Sequence, residues 1–340
     1  TPSLEMGAGF GFQEGEGYNQ SGYGSRSQET RATQNMMNDK QLYDLINTDS
    51  PKEVLDEVRI ILNMISPDFD QDPVAEAFHI IVGLYEGKHP GFKACNTEYH
   101  DLRHTIETFL AMARLLHGAQ LNGEGFAEPN IALGLITALF HDVGYIQEDH
   151  DGQGTGAKYT VHHEQRSAHL LERFAPEFGL SEGGIAAGRI MILGTDISID
   201  HSKLTFPSAQ VKLLCQMLTA SDLMAQMADR SYLEKLLYLY HEFKEADVGG
   251  YESELDLLKK TVTFYEFVTE RLESILDKVD RFMTSHFILR WDISSNLYQE
   301  AIERQKNYLN QILHTPDLDP RDQLKRAGIV QKVREKYEKK

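Results

Sequence analysis

The sequence predicts an all-α protein, and three observations support this prediction. From about residue 39 onwards, apolar residues recur at the three- and four-residue spacing of amphipathic helices. No run of alternating apolar and polar residues is long enough to predict a strand. Glycine and proline fall between the periodic segments, where they end helices and form loops. We therefore expect a compact multi-helix bundle.

The periodic segments define the expected helices in chain order. The first cover residues 42–46, 54–65 (before Pro67) and 74–84. The pattern continues over residues 98–117, 131–143, 163–175, 183–194 and 208–229. After Gly249 and Gly250, two long helices are expected over residues 253–285 and 294–313. Asp319 is a suitable N-cap residue, followed by Pro320 at the first helical position, which predicts a last short helix.

The composition changes at both ends of the chain. Residues 1–35 are poor in aliphatic residues and rich in Gly, Ser, Gln and Glu, so we expect a disordered tail or linker. Residues 36–315 form the predicted helical domain. Residues 316–340 are expected to form a basic C-terminal helix with a solvated face. Contact of this segment with the acidic body of another subunit is the alternative, which leaves a homodimer open.

Charge and cysteine content narrow the classes of partner. The net charge of −18 argues against nucleic acid, because duplex binding depends on neutralising phosphates. Cys95 and Cys215 form no disulfide framework, so we expect a cytoplasmic protein. No run reaches the roughly 18 apolar residues of a membrane span, so no membrane is expected. The chain begins at Thr1 and not at Met, so we expect a piece of a longer protein, which leaves an upstream regulatory domain open.

The most informative segment is residues 138–144, Ala-Leu-Phe-His-Asp-Val-Gly. It places His141 and Asp142 at the end of an apolar run, with Gly144 positioned to end the helix. Burying a carboxylate beside an imidazole is costly unless another group neutralises or coordinates them. A divalent metal ion would do so, and this segment therefore predicts a metal site.

Other parts of the chain supply further ligand types. His100 and His104 are four residues apart, which would place both rings on one helix face. Asp222 stands alone in an apolar helical segment, where a metal ion, Arg230 or a backbone cap would compensate its charge. Asp229 is expected to form a salt bridge with Arg230 instead of binding metal.

The order of these pieces resembles the HD superfamily of metal-dependent phosphohydrolases. Residues 99–104 (Tyr-His-Asp-Leu-Arg-His), then His141-Asp142, then the isolated Asp222 are most similar to the catalytic domain of 3′,5′-cyclic-nucleotide phosphodiesterases. Residues 192–198 are similar to a fourth segment of that family, and the resemblance covers roughly residues 75–310. In contrast, residues 161–168 (Val-His-His-Glu-Gln-Arg-Ser-Ala) resemble general bacterial HD phosphohydrolases. No counterpart of the family's purine-binding glutamine and aromatic clamp is evident.

The resemblance implies a binuclear site and a role for each residue. The first ion, Zn²⁺, Fe²⁺ or Mn²⁺, would be held by His104, His141, Asp142 and Asp222. Asp142 would bridge to a second ion, Mg²⁺ or Mn²⁺, which we assign to His163 in preference to His162. His100 would donate a proton to the leaving oxygen, with Asp101 holding it in the cationic form. Asp196 and His201 would border the second ion or the substrate.

The expected activity is hydrolysis of a cyclic nucleotide, cAMP or cGMP, to the 5′-monophosphate by a metal-bound hydroxide. An HD-type phosphomonoesterase or nucleotide phosphohydrolase is the first alternative. A metal- or nucleotide-binding regulatory module without turnover is the second, and an iron-dependent oxygenase the third. Turnover of different phosphoesters with Mn²⁺, together with optical spectra, would separate these hypotheses.

Overall fold

In a computed structural model that describes residues 40–338, the chain forms thirteen α-helices and no strand. The prediction of an all-α fold is confirmed. The tail expected over residues 1–35 lies outside the described residues. Residues from Gln41 onwards belong to a single structural unit. Among the described helices, none combines the length and the apolar character that crossing a membrane requires.

The helices are numbered here in chain order, and several short 3-10 turns connect them. The first seven are α1 (Pro51–Ile65), α2 (Asp72–Tyr85), α3 (Leu102–Leu121), α4 (Glu128–Phe140), α5 (His163–Phe174), α6 (Glu182–Leu193) and α7 (Ala209–Ala228). The remaining six are α8 (Tyr232–Glu245), α9 (Glu254–Ser274), α10 (Phe282–Trp291), α11 (Leu297–Leu313), α12 (Pro320–Gln323) and α13 (Ile329–Val333).

Helix α3 is the centre of the bundle. It packs against α1, α4, α7 and α10. Most of its side chains are buried on every side, including Phe109 and Leu115, which is typical of a helix enclosed by others. Because His104 lies in the first turn of α3 and Asp222 lies in α7, the packing of α3 against α7 brings two distant candidate ligands together.

The prediction of a single helix over residues 253–285 is wrong. The chain leaves the helix after Ser274 and re-enters it at Phe282. Asp277 and Lys278 adopt left-handed conformations between the two helices. The turn allows Leu276 and Val279 to be fully buried. No glycine or proline marks this break, so the sequence pattern did not reveal it.

Helix α8 was not predicted as a separate element. It occupies residues between the expected helix over 208–229 and the glycine pair at 249–250. Its buried face carries Leu233, Leu236 and Leu237, which follow helical spacing. This omission affects the site, because α8 supplies an acidic residue that contacts His100.

In place of the single basic helix expected over residues 316–340, the structure has the two short helices α12 and α13. Asp319 caps α12 as predicted, accepting a hydrogen bond from the backbone N–H of Arg321. The chain then breaks at Ala327 and Gly328, which have positive φ, before α13. The basic side chains contact acidic groups of the same chain, since Lys336 binds Glu98 at 2.7 Å. Part of the basic charge of this segment is therefore paired with acidic groups of the same subunit.

Candidate metal centre

The first turn of α3 positions His104. Asp101 is the N-cap residue, and its Oδ1 accepts a hydrogen bond of 2.9 Å from the backbone N–H of His104. His100 precedes the cap, so the expectation that His100 and His104 share one helical face is wrong. Their ring centroids are 6.3 Å apart and nearly perpendicular. His104 is buried, and His100 stands beside it on a separate segment.

The end of α4 positions His141 and Asp142. The helix ends at Phe140, His141 is its C-cap, and a 3-10 turn (Val143–Tyr145) follows Asp142. Gly144 does not end the helix with a left-handed residue. Its role is close packing, because a Cβ there would collide with the backbone carbonyl oxygen of His163. The turn therefore lies directly against the start of α5.

Replacing Gly144 with alanine should destabilise the protein by roughly 1–3 kcal/mol and weaken metal binding. The added methyl group must push the start of α5, which carries His163, away from the turn that follows Asp142. Thermal melting and a metal titration would measure both effects. Gly183→Ala is the matched control, because a Cβ at this helical glycine meets only the Ser181 hydroxyl oxygen, at an ordinary contact distance of 4.0 Å. Equal behaviour of the two variants would contradict the assigned packing role.

Four side chains from three helical regions converge at the centre. His104 Nε2 lies 3.2 Å from Asp142 Oδ2 and 3.1 Å from Asp222 Oδ1. His141 Nε2 lies 3.2 Å and 3.6 Å from the same two oxygens. The two Nε2 atoms are 3.3 Å apart. His104, His141 and Asp222 form a group of ligand atoms within 4.8 Å, and Asp142 contacts both histidines beside it.

These distances fit a divalent ion. Adjacent ligand atoms held 2.0–2.1 Å from one ion are separated by roughly 2.8–3.4 Å in octahedral or tetrahedral geometry. His141 Nδ1 lies 2.8 Å from the carbonyl oxygen of Ala138, so that nitrogen carries the proton and leaves Nε2 free to bind metal. His163 follows the same pattern. Its Nδ1 lies 2.8 Å from the carbonyl oxygen of Thr160, while its Nε2 is 3.4 Å from Asp142 Oδ1.

The electrostatics of the cluster show how strongly its members interact. Burial by itself lowers the pKa of His104, but the carboxylates of Asp142 and Asp222 outweigh it and raise the pKa to about 9. The pKa of His141 is raised for the same reason. Burial would raise the pKa of each carboxyl group, yet the adjacent imidazoles hold both pKa values well below the usual range. A cation stabilises this cluster, whether it is a metal ion or bound protons.

In the metal-free protein, replacing Asp222 with asparagine should lower the Tm at about pH 6 by roughly 5 °C or more. The ion pair of Asp222 with protonated His104 contributes its full stabilisation of the folded state at pH values below about 6.5, the pKa of histidine in the unfolded chain. This contribution is lost as the pH rises through about 9, the folded value. The difference between the variant and the wild type should therefore shrink at high pH.

Melting curves in chelator across this pH range would measure the effect. Asp149→Asn, at an exposed position, is the control. A difference in Tm that does not change with pH would argue against pairing between Asp222 and the histidines.

Glu242 is the functional candidate that the sequence did not reveal. Its Oε2 lies 2.7 Å from His100 Nδ1, and its Oε1 accepts hydrogen bonds from the backbone N–H groups of Glu98 and Tyr99. The ring of Tyr145 stacks on His100, with centroids 4.2 Å apart. The expectation that Asp101 orients His100 is therefore wrong, since Asp101 caps α3 and Glu242 holds His100.

The remaining predicted site residues lie in different environments. Asp196 and His163 line a cavity that opens onto the cluster, whereas His162 is exposed at the start of α5. His201 is buried away from the cavity lining, with Nε2 2.8 Å from the carbonyl oxygen of Gly194, so its expected position at the site is wrong. Asp229 also differs from expectation, because it pairs with Lys235 and Arg103 instead of Arg230.

A cavity of about 390 Å³ opens onto the cluster. Its lining includes His104, Asp142 and Asp222 from the cluster, together with His100. The volume is in the range of small-molecule binding sites. Glu164, whose pKa is raised by burial, lines the same cavity. A ligand of moderate size could thus reach the candidate metal ligands and His100 together.

Comparison with known proteins does not assign the chain to a family. No protein-family model matches the sequence, and no curated protein matches it.

Proposed function

We propose that this protein is a metal-dependent phosphoester hydrolase. The observation that carries the proposal is the buried cluster of His104, His141, Asp142 and Asp222 at a cavity that also contains His100. Two imidazoles and two carboxylates suit Zn²⁺, Fe²⁺ or Mn²⁺. A divalent ion bound there would lower the pKa of a water molecule and polarise the phosphoryl group.

The residues of the chain divide into two roles in this proposal. His104, His141, Asp142 and Asp222 bind the metal, and His163 orients Asp142 or contributes to a second site for Mg²⁺ or Mn²⁺. His100 stands outside the ligand group and donates a proton to the leaving oxygen. Glu242 fixes the Nδ1 of His100 as the hydrogen-bond donor, so that Nε2 is the atom available to the substrate.

The substrate proposed from the sequence resemblance is a 3′,5′-cyclic nucleotide. A phosphomonoester is the second candidate, and one observation favours it. The amide of Gln226, the glutamine among the described residues lining the cavity, accepts a hydrogen bond from Tyr99 and approaches Asp222. It is therefore not free to bind a purine in the way the phosphodiesterase family requires.

Elemental analysis combined with a substrate panel tests the proposal. The purified protein would be loaded with Mn²⁺ and assayed with cAMP, cGMP, deoxynucleoside triphosphates and p-nitrophenyl esters. We expect metal bound at the cluster and turnover of at least one phosphoester class. Stoichiometric metal without any turnover would favour a regulatory module, and an optical spectrum of a diiron centre would favour an oxygenase.

A further inference from the structure

We infer that the phosphate of the substrate carries an apolar organic group, aryl or alkyl, in place of a nucleoside. This inference rests on the proposed function and names the substrate class for the same site. It comes from the part of the cavity lining that does not belong to the metal cluster.

One side of that lining is mainly apolar. Helix α8, helix α9 and the connection between them contribute Tyr232, Tyr251, Lys260 and Thr261, together with six aliphatic or phenylalanine side chains that we call the apolar wall. They are Leu236, Leu239, Phe243, Val248, Leu257 and Phe264. A surface of this composition gains free energy by removing a ligand's apolar atoms from water. It offers no hydrogen bonds with which to recognise a sugar or a base.

Two polar side chains beside the wall, Thr261 and Lys260, are already bonded within the protein. Thr261 Oγ1 donates to the carbonyl oxygen of Leu257 at 2.9 Å. Lys260 Nζ donates to Asp256 Oδ2 at 2.7 Å and to the carbonyl oxygen of Gly250 at 2.6 Å. A nucleoside packed against the six side chains of the wall would lose hydrogen bonds to water that these side chains cannot replace, which is unfavourable. An aryl or alkyl group has no such requirement.

The charges in the lining also disfavour a polyphosphate. Glu164 and Asp196 line the cavity, and the carboxylate of Asp256 neutralises Lys260. Nucleoside triphosphates would therefore place extra negative charge near these two carboxylates. A single phosphoryl group facing the metal cluster avoids this repulsion.

Two exposed apolar side chains outside the wall also line the cavity. Val161 is 57% exposed and Ile197 is 45% exposed, and both line the cavity. An apolar ligand group that is too large for the wall alone could therefore also contact these two side chains. Isolated exposed apolar residues are common, but these two adjoin a cavity that is already apolar.

Helix α9 offers a matched pair of variants. Phe264 belongs to the apolar wall, whereas Phe267, one turn later and 40% exposed, is not part of the lining. The two rings stack with centroids 6.0 Å apart. Alanine at either position removes the same side chain from the same helix, but only Phe264→Ala removes cavity wall.

The experiment is a calorimetric titration of the Mn²⁺-loaded full chain with non-hydrolysable phosphonates. Methylphosphonate, butylphosphonate and phenylphosphonate share one metal-binding group and differ in apolar size, and AMP represents a nucleotide product. We expect affinity to rise by about 10-fold or more from methyl to phenyl, as burial of a ring predicts. Phe264→Ala should remove most of this gain without changing methylphosphonate affinity, and Phe267→Ala should leave it intact.

Two results would overturn the inference. One is equal affinity for methylphosphonate and phenylphosphonate, and the other is tighter binding of AMP than of the butyl and phenyl compounds. Because this readout does not require turnover, it separates the inference from the proposed activity. Size-dependent binding without hydrolysis of any phosphoester would retain the apolar ligand class and reject the hydrolase.

Discussion

Replacing Asp142 with alanine should abolish stoichiometric metal binding and lower kcat/KM by about 10³-fold or more. One oxygen of Asp142 contacts both His104 and His141, and the other faces His163. The variant therefore loses a ligand and the contact between the cluster and α5. Elemental analysis and activity with the best substrate of the panel would measure the two effects.

The fold of this variant should survive, because Asp142 lies on a turn and contributes no apolar packing. Circular dichroism would check this directly. Asp149→Ala, at an exposed position seven residues later, controls for loss of an acidic side chain. Retention of both metal and near-normal activity in Asp142→Ala would show that the metal site is built from other residues.

Replacing His100 with alanine should lower kcat by roughly 10²-fold or more while leaving tightly bound metal in place. His100 stands outside the ligand group, held by Glu242 and stacked on Tyr145. The loss should depend on the leaving group. An ester with a good leaving group, such as p-nitrophenolate, needs little proton donation and should be affected much less than an alkyl ester.

Glu242→Gln provides a second test of the same role. The amide keeps the size of the side chain but cannot stabilise a charged imidazole, so it should show a smaller loss with the same dependence on leaving group. His162→Ala, at an exposed neighbour of His163, is the control. If poor and good leaving groups lose activity equally in His100→Ala, His100 is not the proton donor.

Much of the fold could be predicted because its signals are local. Helical periodicity identified most helices to within a few residues, and the side chain of Asp319 marked the start of α12. The apolar run before His141 and Asp142 indicated a buried polar pair that needed compensation. The structure places this pair beside His104 and Asp222, the two distant residues that the sequence associated with it.

Other features depended on contacts between segments that are far apart in sequence. Glu242 lies 142 positions after His100, and no local pattern distinguishes it from other acidic residues on helix surfaces. Asp229 pairs with Lys235 and Arg103, although Arg230 is its neighbour in the chain.

By itself, the sequence determined the all-α class, most helix positions and the residue types that could bind a metal. The docking of α8 decided which carboxylate holds His100, and with α9 it decided that the cavity wall is apolar. Periodicity reports only which face of one helix avoids water. The identity of the group that meets a buried polar atom is set by how helices pack, and that depends on the whole chain at once.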